Sequence, residues 1–92
     1  MAIGIRMKLE GVTAEQFEVM ERSVDPDSNP PEGLIFHASG PIDGGWGVID
    51  FWRSRELFDR FAQERIGSAV AAAGVSVTPD IREFSVHEHF PR

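Results

Sequence analysis

The sequence predicts an α+β fold whose elements follow the order βαββαβ. Four stretches alternate apolar and polar residues as strands do, two stretches place apolar residues at helical spacing, and one Asp-Gly pair is typical of a tight hairpin. Two right-handed crossovers around a hairpin give the ferredoxin-like arrangement, a four-stranded antiparallel sheet with both helices on one face. At 92 residues the chain, 1-92, is expected to be a single domain.

The first strand is predicted over Ile3–Leu9, where every second residue is apolar. Thr13 and Gln16 then form the capping box that begins a helix, and the helix should end near Asp25-Pro26. The stretch from Asp25 to Gly33 contains three prolines and is predicted to be a loop. It is interpreted as a plain connector, with a lid over a pocket as the alternative.

The second strand is predicted over Leu34–Gly40 and the third over Trp46–Trp52, joined by a turn at Asp43-Gly44. Ser54 stands at the N-cap of the second helix, and Gly67 is expected to bend or restart that helix. The fourth strand is predicted over residues 81–89. The apolar stripe of the second helix comprises Leu57, Phe58, Phe61, Ala62, Ile66, Ala69 and Val70.

The third strand is apolar on both faces, which predicts that the sheet is covered twice. Two helices cover only one face, so the other should be an interface. We therefore expect a homodimer through the sheet face, in which two stacked sheets close a barrel.

Composition excludes several classes of protein. The chain has 15 acidic and 9 basic residues, a net charge of −6, and no basic run, which argues against nucleic acid and anionic membranes as partners. The absence of cysteine excludes disulfides and thiolate chemistry. The N-terminal stretch is too short and too charged for a signal peptide or a membrane span, so a soluble, cytoplasmic protein is expected.

Two stretches resemble the antibiotic-biosynthesis monooxygenase-like proteins of the dimeric α/β-barrel superfamily. They are Gly33–His37 and Asp50–Phe61, where an acid two residues before a tryptophan is followed by a helix cap and an acidic first turn. The resemblance implies a homodimer with a ligand pocket between sheet and helices in each subunit. The superfamily includes cofactor-independent oxygenases, haem-degrading enzymes, isomerases and members without known activity.

The haem-degrading branch of that superfamily has a histidine on its second helix and an asparagine on its first strand. Here residues 57–73 contain no histidine, and Asn29 lies in the proline-rich loop. Neither haem nor another cofactor is expected. The chain also lacks tyrosine, which removes a phenol as acid, base or radical site.

His37 and Asp50 are the predicted catalytic pair. With the turn at Asp43-Gly44, they lie directly opposite each other across the hairpin and share a face. A carboxylate that holds an imidazole fixes its tautomer and raises its basicity, as a general base requires. In the family's oxygenases the implied role is deprotonation of an electron-rich phenol, which then reacts with oxygen. The alternative is that two buried polar groups only satisfy each other.

Further candidates are weaker. The predicted ligand contacts include four aromatic side chains that could stack on a planar ligand, namely Phe36, Trp46, Trp52 and Phe84. The fifth is Arg6, whose positive charge could bind an anionic group of the ligand. Most of these aromatics could equally be core or dimer interface. His87 and His89 would share a face of the last strand, which is compatible with a metal site, but exposure to solvent is the favoured interpretation and no metal is predicted.

Three functions remain open. The first is a cofactor-independent oxygenase of an aromatic or polyketide-like compound, with His37 as base and Asp50 as its orienting partner. The second is a dimer that binds a small ligand without catalysis, and the third is a structural or interaction domain. A closed apolar cavity that reaches His37 would favour the first two, and a filled core would favour the third.

Overall fold

The chain folds into one four-stranded antiparallel sheet with helices packed against one side. The computed structural model describes residues 2–76 and 78–91. The strands are β1 (Ile3–Glu10), β2 (Leu34–Ile42), β3 (Gly45–Trp52) and β4 (Asp80–Ser85), in the spatial order β2-β3-β1-β4. The helical segments are α1 (Ala14–Val24), α2 (Arg55–Phe61), a π-helical turn (Ala62–Ile66) and α3 (Gly67–Ala72). The predicted ferredoxin-like fold is confirmed.

The two faces of the sheet differ sharply, as the alternation along its central strands requires. On β1, Ile5 and Met7 are buried beneath the helices, whereas Arg6 and Lys8 point to the opposite side and are exposed. We call these sides the helix face and the open face. The core lies between the helix face and the helices, and Trp52 at its centre is fully buried.

The capping box of α1 forms as predicted. The Thr13 hydroxyl accepts a hydrogen bond from the Gln16 amide at 3.2 Å, and the Gln16 side chain accepts one from the Thr13 amide at 3.0 Å. Phe17 and Met20 are buried on the inner side of the helix. The helix ends at Val24, and the following residue, Asp25, adopts a left-handed conformation with φ of 52°. The boundaries of this helix therefore agree with the prediction.

The β2–β3 hairpin turns at Asp43-Gly44, and it pairs His37 with Asp50 as predicted. Gly44 has φ of 78°, which glycine adopts without steric cost. The register shifts between Leu34 and Phe36, so the strand contains a bulge at this point. Because of the bulge, Leu34 and His37 both pair with helix-face residues of β3 despite their odd separation.

The second helix is interrupted where the sequence predicted a bend or a restart. Ser54 caps it by accepting a hydrogen bond from the Leu57 amide at 3.2 Å, which confirms the predicted N-cap. The π-helical turn follows α2, and α-helical geometry resumes at Gly67. Within the described residues no helix is long and apolar enough to cross a membrane.

The fourth strand is shorter than predicted and ends at Ser85 instead of His89. It pairs only with β1, and the last pair of that ladder joins Ser85 to Ile3, where β1 begins. One further hydrogen bond runs from the Val86 amide to the Ala2 carbonyl at 2.9 Å. The strand prediction for 86–89 was wrong, because β1 begins at Ile3 and its ladder with β4 ends at the pair of Ile3 with Ser85.

The open face carries a row of aromatic rings. The ring centroids of Phe36 and Phe51 are 6.4 Å apart, and those of Phe51 and Phe84 are 6.3 Å apart. Phe36 and Phe84 are each 56% exposed, and Ile49 beside them is 48% exposed. The sheet therefore presents a contiguous apolar surface on the side without helices.

Candidate functional site

A cavity of about 120 Å³ lies between the helix face and the helices. Its walls come from β1, β2 and β3, from α1, α2 and α3, and from the π-helical turn. Pro26 and Pro31 of the loop between α1 and β2 contribute one side. Among the described residues that line it, only Glu21, His37 and Asp50 have ionisable side chains. The cavity is thus apolar except at one cluster.

The cluster is built on the hairpin register. His37 on β2 and Asp50 on β3 are directly paired, and His37 Nδ1 lies 2.6 Å from Asp50 Oδ1. Asp50 is only 3% exposed, and its second oxygen accepts a hydrogen bond from Trp52 Nε1 at 3.3 Å. Both oxygens of this buried carboxylate are therefore hydrogen-bonded, as burial of a charged group requires.

Asp50 determines which nitrogen of His37 carries the proton. An ionised carboxylate can only accept hydrogen bonds, so Nδ1 must be the donor. In the neutral imidazole the lone pair is then on Nε2. His37 therefore presents Nε2 as its proton-accepting atom.

Glu21 on α1 approaches this same nitrogen. Its Oε1 lies 3.6 Å from His37 Nε2, beyond hydrogen-bonding distance but close enough for an ion pair when the imidazole is protonated. The Glu21 side chain is 45% exposed and that of His37 is 32% exposed. Since both residues also line the cavity, they mark the place where the cavity meets solvent.

The pKa of His37 is raised above its ordinary value near 6.5. The hydrogen bond to Asp50 is the largest cause, and the negative charges of Asp50 and Glu21 act in the same direction. Partial burial opposes them, because it disfavours the charged imidazolium, but it does not prevail. His37 is therefore a stronger base than an isolated histidine.

Aromatic side chains pack beside the imidazole. The Phe17 ring is stacked parallel to His37, with an interplanar angle of 4° and a centroid separation of 6.5 Å. The other neighbour of Phe17 is Trp46, whose ring centroid is 5.5 Å away. The Trp46 indole nitrogen is buried without a hydrogen-bond partner among the described residues. The indole thus supports Phe17 through packing.

The loop at the side of the cavity is tied to the second helix. Arg65 lies in the π-helical turn and donates hydrogen bonds to the Val24 carbonyl and, at 2.7 Å, to the Asn29 carbonyl. These bonds hold both ends of the segment that contains Pro26, a cavity residue. The loop is therefore part of the cavity wall and not only a connector.

The structure separates the predicted ligand contacts into two groups. Trp52 lines the cavity, and Trp46 lies on the helix face behind Phe17. Arg6, Phe36 and Phe84 lie on the open face, across the sheet from the cavity. The five residues do not form one surface. Any ligand-binding role of the open-face group would be separate from the cavity, and such a role stays a prediction.

His87 and His89 follow the end of β4 and are exposed. The strand geometry that would have aligned their side chains is absent, because β4 ends at Ser85. In the part of the chain that the structure describes, no three His, Cys, Asp or Glu side chains are grouped so that they could hold a metal ion.

Sequence reasoning missed Glu21 and Phe17 as members of the site. The signal for Glu21 is its position four residues after Phe17 and three before Val24, which places a carboxylate within the apolar stripe of α1. An acid at such a position needs a partner or a cavity. Here it has both.

Comparison with solved structures supports the resemblance at the level of fold. SnoaB, a cofactor-independent oxygenase from Streptomyces nogalater, matches with a TM-score of 0.65 and 20% identity over 99% of this chain and 96% of that chain. Rv0793 from Mycobacterium tuberculosis matches with a TM-score of 0.73 and 11% identity over 98% of this chain and 99% of that chain.

A third match is a Caulobacter crescentus CB15 protein named as an antibiotic biosynthesis monooxygenase. Its TM-score is 0.73, with 18% identity over 95% of this chain and 91% of that chain. Neither a family model nor a curated protein sequence matches the chain. The chain thus has the fold of the antibiotic-biosynthesis monooxygenase-like proteins of the dimeric α/β-barrel superfamily.

Proposed function

We propose that this protein binds a small aromatic molecule in the cavity and removes a proton from it with His37, in a reaction like that of cofactor-independent oxygenases. The observation that carries the proposal is the 2.6 Å contact between His37 Nδ1 and the buried Asp50 carboxylate at the wall of an apolar cavity. The fold shared with SnoaB supports it.

In this mechanism His37 is the general base and Asp50 is its positioning residue. Asp50 holds the proton on Nδ1, which leaves Nε2 to accept a proton from an acidic substrate hydroxyl. Asp50 also stabilises the imidazolium that results. The substrate anion is electron-rich and reacts directly with dioxygen. One oxygen atom becomes a carbonyl oxygen of the quinone product and the other leaves as water with two hydrogens from the substrate, so the substrate supplies all the electrons and no bound cofactor is required.

Binding without catalysis is the second candidate, and the position of Glu21 favours it. Glu21 Oε1 is 3.6 Å from Nε2, so this carboxylate favours the protonated imidazole, which cannot accept a proton from a substrate. A third role, as a purely structural domain, is less well supported, because the core between sheet and helices is not filled.

The proposal includes a homodimer formed through the open face. The support for it is the exposed aromatic row with Ile49, an apolar surface that water solvates poorly. The cavity lies on the opposite side of the sheet, so each subunit would keep its own site.

Oxygen consumption with electron-rich phenols and hydroquinones tests the catalytic role. We expect turnover by the wild-type protein that increases as the pH rises through the pKa of His37, because only the neutral imidazole accepts a proton. His37→Gln should lower the rate roughly 100-fold or more, as loss of a general base does. His87→Gln, which replaces an exposed histidine, is the matched control and should leave the rate unchanged.

Two results would decide against this mechanism. Equal rates for His37→Gln and the wild type would exclude His37 as the base. Saturable binding of the phenols without oxygen consumption would instead support the noncatalytic candidate.

A further inference from the structure

The volume of the cavity restricts the ligand to about one ring. A dry apolar cavity of roughly 150 Å³ is known to accept benzene, and pockets for larger organic ligands usually measure roughly 300–1,000 Å³. The cavity here measures about 120 Å³. A fused two-ring or larger ligand with all of its rings inside the cavity would therefore require displacement of the walls.

The polarity of the cavity restricts the ligand to one polar group. The three ionisable side chains form one cluster, in which His37 lies between Asp50 and Glu21. Asp50 already accepts from His37 and Trp52. The remaining accessible group is His37 Nε2, at the mouth of the cavity. A ligand with polar groups at both ends would leave one of them unpaired among apolar side chains.

Glu21 occupies the place of that polar group in the free protein. Its carboxylate faces Nε2 at 3.6 Å and is nearly half exposed, so it can withdraw into solvent. An exposed ion pair of this kind contributes little free energy. A phenolic oxygen that reaches Nε2 would replace the Glu21 oxygen and keep the imidazole partnered.

We propose that the cavity selects a single-ring phenol, with the ring among the apolar side chains and the hydroxyl oxygen at His37 Nε2 in place of the Glu21 carboxylate. This inference rests on the proposed function, and it narrows the small aromatic molecule of that proposal to a single ring. It also makes Glu21 a specificity-determining residue, because its carboxylate must leave before the ligand binds.

A series of ligands of increasing size tests the inference by NMR. The probes are benzene, phenol, 2-naphthol and 9-phenanthrol, and the readouts are the ring signals of His37 and the indole NH of Trp52. Phenol should shift both signals saturably. Benzene should shift only the Trp52 signal, because it lacks the hydroxyl. 2-Naphthol should bind at least tenfold more weakly than phenol, and 9-phenanthrol should not bind measurably.

Variants of the cavity wall and mouth sharpen the test. Met20→Ala enlarges the cavity and should improve 2-naphthol binding relative to phenol at least fivefold. Ile35→Ala is the matched control, because Ile35 is 55% exposed and lies outside the cavity. Glu21→Ala should tighten phenol binding about threefold or more, since no side chain at this position then pairs with the imidazole. The wild-type series is decisive even if Met20→Ala does not fold.

The outcomes separate this inference from the function on which it rests. If 2-naphthol or 9-phenanthrol shifts the His37 signals with the affinity of phenol, the single-ring inference is wrong and the proposed function survives. Equal effects of benzene and phenol on His37 would overturn the role of the hydroxyl. If no probe affects His37, both the inference and the proposed function are wrong.

Discussion

His37 combines two properties, namely a strong hydrogen bond to a buried acid and a second ring nitrogen at the mouth of a cavity. Asp50 provides the first because it is 3% exposed and lies 2.6 Å from Nδ1. The second follows from the position of Nε2 beside Glu21, whose side chain is 45% exposed. The proton affinity of the imidazole is thus set from the protein interior, whereas its reactive atom faces the place where a ligand would enter.

Removal of the Asp50 charge should lower the pKa of His37. Asp50→Asn preserves the shape of the side chain but eliminates the largest cause of the raised pKa. In the wild type, protonation of His37 stabilises the folded state. This stabilisation is complete below the pKa of His37 in the unfolded state, near 6.5, and it is lost as the pH rises through the higher pKa of the folded state. The variant should lose this pH-dependent stability. NMR titration of His37 and unfolding at several pH values measure both effects.

Asp43→Asn is the control for this change, because it removes the same charge at the exposed hairpin turn. It should leave the His37 titration unaltered. An equal pKa of His37 in the wild type and in Asp50→Asn would mean that the two side chains do not interact in solution.

The His37–Asp50 pair was predictable because a two-residue turn fixes the register of a hairpin. The predicted ligand contacts lie on both faces of the sheet, and alternation alone places Phe36 and His37 on opposite faces of β2. Glu21 could not be assigned to His37 from local patterns. Their contact depends on how far α1 lies above β2, which only tertiary packing determines.

At the scale of elements, the π-helical turn links the second helix to the cavity loop. It contains Arg65, which reaches carbonyl groups of Val24 and Asn29. Arg65 also lies over the Phe61 ring, with the guanidinium carbon 5.5 Å from the ring centroid. Turns of this type often occur at functional sites. Here the turn places Arg65 where it can hold the loop that forms one side of the cavity.

Arg65→Ala should loosen the loop between α1 and β2. A hydrogen bond from a charged donor contributes roughly 1.5–3 kcal/mol, so we expect roughly tenfold faster proteolysis within this loop. Limited proteolysis with mass spectrometry of the fragments measures the rate. Glu64→Ala, at the exposed neighbouring position of the same turn, should not change it. Equal cleavage rates in Arg65→Ala and the wild type would show that the loop is held by other contacts.

The π-helical turn itself was not predictable, whereas the helix caps were. Thr13 and Ser54 accept hydrogen bonds from amides three residues later, so their role follows from local sequence. The extra residue in a π-helical turn depends instead on how the two ends of the helix pack. The end of β4 was also beyond local reasoning, because it depends on the length of the neighbouring β1 strand.

At the scale of the whole molecule, charge and apolar surface are distributed unequally. The chain has a net charge of −6, yet the open face carries the cations Arg6, Lys8 and Arg82 beside the exposed aromatic row. Arg6 and Arg82 are directly paired across neighbouring strands. The Asp80 carboxylate, 3.4 Å from Arg82, offsets only part of this positive charge, and two copies that met through this face would bury cations together with apolar surface. Dimer formation through it would therefore be sensitive to added positive charge.

Ile49→Arg should convert a homodimer into monomers. The substitution replaces an apolar residue that is 48% exposed on the open face with a further cation near Arg6, its pairing partner on β1. We expect the dissociation constant of the dimer to increase roughly 100-fold or more, because like charges in an interface cost several kcal/mol. Sedimentation at micromolar concentrations measures this change.

Gln63→Arg introduces the same charge on the exposed side of the second helix and should leave the association unchanged. The His37 titration should be equal in both variants, because the cavity lies on the other side of the sheet. A wild-type protein that sediments as a monomer of 10.2 kDa would contradict the proposed dimer directly.

A substitution at Gly4 would change the open face without changing the cavity. A β-carbon at this position would collide with the ring of Phe84, which packs edge-on against Phe51. Gly4 does not require an unusual backbone angle, so alanine is conformationally acceptable and only the aromatic ring would have to move. A single nucleotide change in a glycine codon can therefore rearrange the exposed aromatic row without altering any side chain of the cavity. Surface recognition and the chemistry of His37 can consequently diverge independently among descendants of this chain.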